Sequence, residues 1–227
     1  MSFSDWQGNE HLIARLKQMI RSGRIFHGCL FEGSPQQTER LADDFVRAVL
    51  CERQDGDACG VCTFCRKFDS GNSEDVIAVG AEGSVKDKDI ELLISAAMKK
   101  SYTGRPVFLV VRGAGRMTAR AQNRLLKTLE EPPSHVVFIL CTTDPQKVPE
   151  TIHSRCQRFD FRRISAEAIV SRLGAVCVAE GVEFEGEALD LIAHRAEGGM
   201  RNALTSLEQL IAFGEGKVTM EVAERLL

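Results

Sequence analysis

Residues 106–133 read PVFLVVRGAGRMTARAQNRLLKTLEEPP. The run Val107-Phe108-Leu109-Val110-Val111 is apolar throughout and rich in β-branched residues, the pattern of a strand buried on both faces of a parallel sheet. Gly113 and Gly115 mark a turn. A helical pattern then runs from Thr118 to Glu131 and is stopped by Pro132-Pro133. Strand, short loop and helix is the wiring of an open α/β domain whose chemistry lies at the carboxyl ends of its strands. An ATPase of this build needs an acidic pair at that point to hold magnesium and activate water. Arg112 and Gly113 stand there instead.

Working outward toward the N-terminus, Trp6 to Arg21 reads as an amphipathic helix with Leu12, Ile13, Leu16, Met19 and Ile20 on one side. An apolar strand, Ile25 to Glu32, runs into Gly33-Ser34-Pro35, and a helix follows from about Gln37 to Leu50. A strand, a glycine turn and a helix in this place suit a phosphate-binding loop of the pattern G-x-x-x-x-G-K-[ST]. Gly33 matches the first glycine. Thr38, Glu39 and Arg40 fall where the second glycine, the lysine and the magnesium-binding hydroxyl belong. A carboxylate about 4 Å from a phosphate charge costs about 4 kcal/mol at an effective dielectric near 20. The stretch therefore reads as an ordinary strand–helix turn.

Four of the eight cysteines cluster as C-x7-C-x2-C-x2-C: Cys51, Cys59, Cys62 and Cys65. Four thiols at that spacing suit one tetrahedral zinc of structural type, with Gly56 and Gly60 supplying turns. The alternative is a group of free surface cysteines. No charged-then-apolar leader opens the chain, and no apolar run approaches the roughly 18 residues of a membrane span. A cytoplasmic protein is expected, so disulfides are not. The net charge of −3 gives no global signal for nucleic acid.

Beyond the cysteines come a short strand at Asp75–Val79 and a helix over 86–100. The central strand and helix follow, then a second buried strand, Val136 to Leu140, ending in Cys141-Thr142-Thr143-Asp144. Those hydroxyls suit either positioning a water or capping a turn. A short helix over 148–154 precedes a last strand, Gln157 to Phe161. From Ser165 helical patterns run at 165–180, 185–197, 200–214 and 218–227. Arg112, Arg116, Arg120 and Arg124 recur every four residues, which in a helix aligns a basic stripe. Arg116, Arg120 and Arg124 are candidates for contact with DNA phosphates; the other reading is a solvated face pairing with carboxylates.

Several segments together resemble a known family. They are Ala121-Gln122-Asn123 with LLKTLEEPP (125–133), the four cysteines, Ser154-Arg155-Cys156, Ser22-Gly23-Arg24-Ile25 with His27, and Gly198-Gly199-Met200-Arg201. The family is the bacterial DNA polymerase III clamp loaders, gamma/tau ATPase and delta-prime subunits of the AAA+ class. The resemblance implies a P-loop-type parallel-sheet core over residues 1–163 with an inserted zinc module at about 51–65, then a small all-helical lid over 164–227. The family's ATPases carry an intact phosphate loop and an Asp-Glu pair, and this chain departs at both. It therefore resembles the delta-prime type, without ATP in its own site and without hydrolysis. The Ser-Arg-Cys motif implies that Arg155 is an arginine finger for a neighbouring subunit's nucleotide, where a guanidinium neutralises transition-state charge; the other reading is an arginine paired with a carboxylate at the domain edge. Thr142 and Arg201 fall at sensor positions.

Implied partners are a gamma/tau-type ATPase, the delta subunit, the sliding clamp and primer-template DNA. A further collar domain is expected beyond residue 227, and weaker self-assembly without it. Two other readings stay open: an active gamma/tau-like ATPase with atypical motifs, and a zinc-containing binding module outside replication.

Overall fold

The computed structural model describes residues 3–6, 9–99, 101, 104–161, 165–196, 198–214 and 216–227, apart from the side chains of Asp5 and Arg201. Two compact units divide the chain, the first ending at Phe161 and the second holding the described residues from Ser165 onward. In the first unit the elements are α1 (Glu10–Ser22), β1 (Gly28–Glu32), α2 (Pro35–Leu50), α3 (Thr63–Asp69), β2 (Val76–Val79) and α4 (Asp87–Ala97). They continue with β3 (Val107–Arg112), α5 (Ala119–Glu130), β4 (Val136–Thr142), α6 (Glu150–His153) and β5 (Gln157–Asp160).

All five strands pair in parallel, in the order β2-β3-β4-β1-β5. Strand alternation sends successive side chains to opposite faces. Phe108, Val110, Val137, Ile139 and Phe31 pack against α1 and α2. Val107, Leu109, Val111, Phe138, Leu140 and Leu30 pack against α4 and α5. The strand interiors are apolar on both faces because helices cover both, as the sequence pattern predicted. On the first of these faces, edge-to-face pairs Phe31–Phe45 and Phe45–Phe108 join strand and helix, and Phe31–Phe159 joins β1 to β5.

Helix starts follow local chemistry. Ser34 caps α2 and Pro35 occupies its first position; Thr118 caps α5 by accepting from the Ala121 amide. Against the expectations above, α1 begins at Glu10 and α2 at Pro35 rather than Gln37. Helix α3 is an addition, and a 3-10 turn at Ala114–Arg116 separates β3 from α5. The four-residue arginine repeat is consequently not one helical stripe: Arg112 ends β3, Arg116 lies in the 3-10 turn, and only Arg120 and Arg124 are on α5.

The second unit comprises α7 (Ala166–Glu180), β6 (Glu183–Phe184), α8 (Gly186–Arg195), α9 (Met200–Phe213), β7 (Lys217–Val218) and α10 (Met220–Leu226). Ile169, Leu173, Leu189, Ile192, Leu207 and Leu210 form its core. It is helical except for the two-residue strands β6 and β7. These pair because the extended connectors before α8 and α10 run side by side, with Lys217 and Glu183 2.6 Å apart. No helix among the described residues is long and apolar enough to cross a membrane.

Candidate functional site

The carboxyl ends of β1, β3 and β4 converge on a cleft of about 320 Å³ lined by Pro35, Thr38, Glu39, Gly113, Thr142 and Asp144, among others. This is the crevice where open α/β sheets bind ligands. A wider, shallow groove of about 530 Å³ on the outer side of α4, lined by Ile77, Lys88 and Leu92 among others, lies away from these strand ends.

Within the cleft the loop after β1 does not form a cradle. Helix α2 is already wound at Pro35, so positions 35–38, which a phosphate loop keeps open, are helical. Two of their amides are engaged: Gln37 N–H donates to Ser34 Oγ (3.4 Å), and Thr38 N–H to the Ser34 carbonyl (2.9 Å). Pro35 has no N–H to give. Gly33 donates to the Thr142 carbonyl at 3.0 Å, and a Cβ there would come within 2.8 Å of Phe161 Cβ. Glycine is required at 33 by packing against Phe161. The Thr38 hydroxyl donates back to the Ser34 carbonyl (3.0 Å).

Glu39 and Arg112, the two residues of unexpected charge, meet. Arg112 Nη1 lies 3.4 Å from Glu39 Oε2, and Nη2 donates to Asp43 Oδ1 at 2.9 Å. The carboxylate at the lysine position and the guanidinium at the acid position thus compensate each other. Burial pushes the Asp43 carboxyl up despite the Arg112 charge beside it. Arg40 stacks over the Trp6 ring (5.0 Å to its centroid) and lies 3.6 Å from Asp44, which accepts from Trp6 Nε1 at 2.8 Å. Thr142 is buried, and its hydroxyl accepts from the Asp144 amide at 3.1 Å, the capping arrangement.

Arg155 lies two residues past the end of α6. Its Nη1 donates to the Thr151 carbonyl (2.7 Å) and its Nη2 to Glu130 Oε1 (2.9 Å), with a third of the side chain exposed. Glu130 closes α5, so the LLKTLEEPP segment and the Ser-Arg-Cys segment are joined by this pair. Arg120 and Arg124 both face Asp87 on α4; Arg124 is bidentate at 2.7 and 2.8 Å, and its guanidinium holds the Asp87 carboxyl below its usual range. Arg116 donates to the Gly80 carbonyl at 2.6 Å. Arg201 lies in the first turn of α9; its side chain is outside the described residues.

The sulfurs of Cys51, Cys59, Cys62 and Cys65 lie within 4.8 Å of one another, and all eight cysteines are free. Four thiolates at 2.3 Å around one tetrahedral zinc stand about 3.8 Å apart, a small contraction from this arrangement. Backbone amides already point at the sulfurs: Cys59 N–H at Cys51 (3.3 Å), Cys62 N–H at Cys59 (3.4 Å) and Cys65 N–H at Cys62 (3.5 Å). The Val61 and Cys62 amides hold the Cys59 thiol low, at about 6. Arg105 braces the module, donating to the Leu50 and Cys51 carbonyls and lying over Phe64. The donor set fits a thiophilic ion held at a closed site.

Residues 8–165 match the family model described as DNA polymerase III, delta subunit, and residues 168–216 match that of the DNA polymerase III clamp loader subunit, ATPase lid domain. The chain belongs to the DNA polymerase III clamp-loader family. Among its relatives, the tau subunit of Bacillus subtilis (strain 168) is 39% identical over 232 residues, covering 97% of this chain and 40% of that protein. The tau subunit of Escherichia coli (strain K12) is 35% identical over 228 residues, covering 100% and 36%. The clamp-loader chain therefore spans about two fifths of the length of these relatives. The RuvB Holliday junction branch migration motor of Thermotoga maritima shares the fold, with a TM-score of 0.59 at 13% identity over 96% of this chain and 68% of that one. The α/β core with a helical lid is thus the AAA+-like architecture that the sequence motifs implied.

Three contacts escaped the sequence reading. Asp43 as second partner of Arg112 was signalled only by its place one turn after Glu39. Glu130 was expected as a partner for the basic stripe and not as the carboxylate that holds Arg155. Glu32, a buried carboxylate ending β1, is bonded twice by Arg158 of β5 (2.7 and 2.8 Å) and faces His153.

Proposed function

We propose that this chain acts as a clamp-loader subunit of delta-prime type. It is silent in its own cleft, offers Arg155 to the nucleotide of a neighbouring gamma- or tau-type ATPase, and assists loading of the sliding clamp on primed DNA. The observation that carries this reading is the cleft itself, where a helix replaces the phosphate cradle and a Glu39–Arg112–Asp43 cluster replaces lysine and acids. The exposed third of Arg155 supports presentation in trans, its Glu130 partner being a surface carboxylate that a phosphate can outcompete. Thr142 and Arg201 then have no nucleotide of their own to sense. The test is reconstitution with a gamma-type partner. The chain restores ATP hydrolysis, and Arg155→Ala lowers that rate by about 10³-fold; an unchanged rate rejects the finger.

The resemblance to tau subunits favours a second reading, an active ATPase. Magnesium-dependent turnover by the isolated chain, abolished by a change at Glu39, would establish it. Arg116, Arg120 and Arg124 remain the proposed DNA contacts. Arg120 is 81% exposed against 34% for Arg124, so Arg120→Ala should flatten the salt dependence of primer-template binding.

We further propose zinc as the ion of the cysteine site. Protein prepared without chelator should carry about one zinc per chain. Chelation should lower the unfolding midpoint, because metal binding is coupled to folding of the module. An apo protein with four titratable thiols in the module refutes it.

A further inference from the structure

We infer that His153 is a positioning residue for Arg155, aiming the arginine through its hydrogen bond to the Pro145 carbonyl. The inference rests on the reading of Arg155 given above.

His153 is the last residue of α6 and only 8% exposed. Its Nε2 lies 3.0 Å from the Pro145 carbonyl oxygen. A carbonyl only accepts, so Nε2 carries the proton. Its Nδ1 is buried without a hydrogen-bond partner among the described residues, 3.8 Å from Glu32 Oε1. An unsatisfied buried nitrogen is a cost that an aliphatic side chain at this place would avoid. The imidazole is therefore doing something that packing does not need.

What it does follows from its connections. A four-residue helix cannot hold its own geometry, so the direction of α6 is set by what it touches. Pro145 opens the 3-10 turn that follows β4, directly after Asp144 at the cleft. Glu32, on the other side of the ring, ends β1 and is fixed by Arg158. His153 thus pins the end of α6 between the ends of two central strands, two residues before the guanidinium. Among the described residues, Arg155 itself is held by the Thr151 carbonyl, by Ser154 Oγ (3.3 Å) and by a surface carboxylate. Its aim relative to the sheet is set by His153 on one side and by β5, which starts at Gln157 paired with Cys29 of β1, on the other.

Glutamine and asparagine separate the two ring nitrogens. A glutamine amide ends about where Nε2 stands and can donate to Pro145; an asparagine amide ends about where Nδ1 stands and cannot. In a complex reconstituted with a gamma-type ATPase, His153→Gln should keep most of the stimulated kcat. His153→Asn should lose about tenfold with the partner's KM for ATP unchanged, the size expected for a misaimed charge. Equal rates for the two variants overturn the inference. Arg155→Ala is measured alongside and tests the finger separately. Hydrogen exchange on the full chain supplies a readout independent of any partner. The amides of 152–156 should exchange faster in the Asn variant than in the Gln variant, and equal exchange overturns the inference whatever Arg155 does.

Discussion

Asp43 sits one helical turn beyond Glu39, and both carboxylates reach the same guanidinium at the end of β3. Burial nevertheless raises the Asp43 carboxyl above its ordinary value of 3.8. A group whose folded value is raised contributes stability below its unfolded value and loses it as pH rises through the folded one. The charged form of Asp43 is therefore a burden at neutral pH. Asp43→Asn, which can still accept from Arg112, should raise the unfolding midpoint at pH 7. The gain should shrink as pH falls toward 4 and vanish below it; a gain independent of pH would contradict the assignment. At this scale the sequence was half readable. The wrong-signed residues at 39 and 112 were visible, because each stands at a place with a known requirement. That they pair was not, since 73 residues separate them and only the sheet brings them together.

Helix α2 illustrates why elements are more legible than their ends. Its apolar spacing announces it, and Ser34-Pro35 is a strong start signal. A phosphate-loop register places the start later, and the structure follows the local capping chemistry. The central strand matches because its apolar run is unbroken, and α5 because its pattern is long and periodic. Helix α3 spans seven residues and β6 and β7 two each, too short for periodicity to show. The connection from β2 to α4 carries a sharper constraint. Gly80 has φ +80°, and a Cβ there would strike the Arg112 carbonyl oxygen and approach Val85 Cγ2 to 2.6 Å. Gly80→Ala should therefore destabilise the sheet edge by at least about 2 kcal/mol, read by denaturant unfolding. A neutral result would mean that this turn relaxes away from β3.

Across the molecule, the sole tryptophan provides a test of the silent cleft. Trp6 lies against Phe161 (ring centroids 5.4 Å apart) and under Arg40, whose helix would have to unwind at its start to admit a phosphate. Millimolar ATP with magnesium should leave Trp6 emission unchanged. A saturable change would show that nucleotide enters and would favour the ATPase reading. The architecture was legible from the alternation of buried strands and amphipathic helices. The lid was legible from its change of texture after Ser165, and the cysteine module from spacing alone. What single positions do was not, because the cleft and the surroundings of Arg155 are each built from segments far apart in the chain.

The Arg112 cluster also restricts which neighbouring sequences the chain can reach. Glu39→Lys alone would set two cations face to face, and Arg112→Asp alone would set three carboxylates together. Each single step toward a hydrolytic site is downhill in stability, and the double change still leaves α2 wound where a loop is needed. On the proposed delta-prime reading, the silent state is mutationally isolated, because a single change at either of these two positions costs stability.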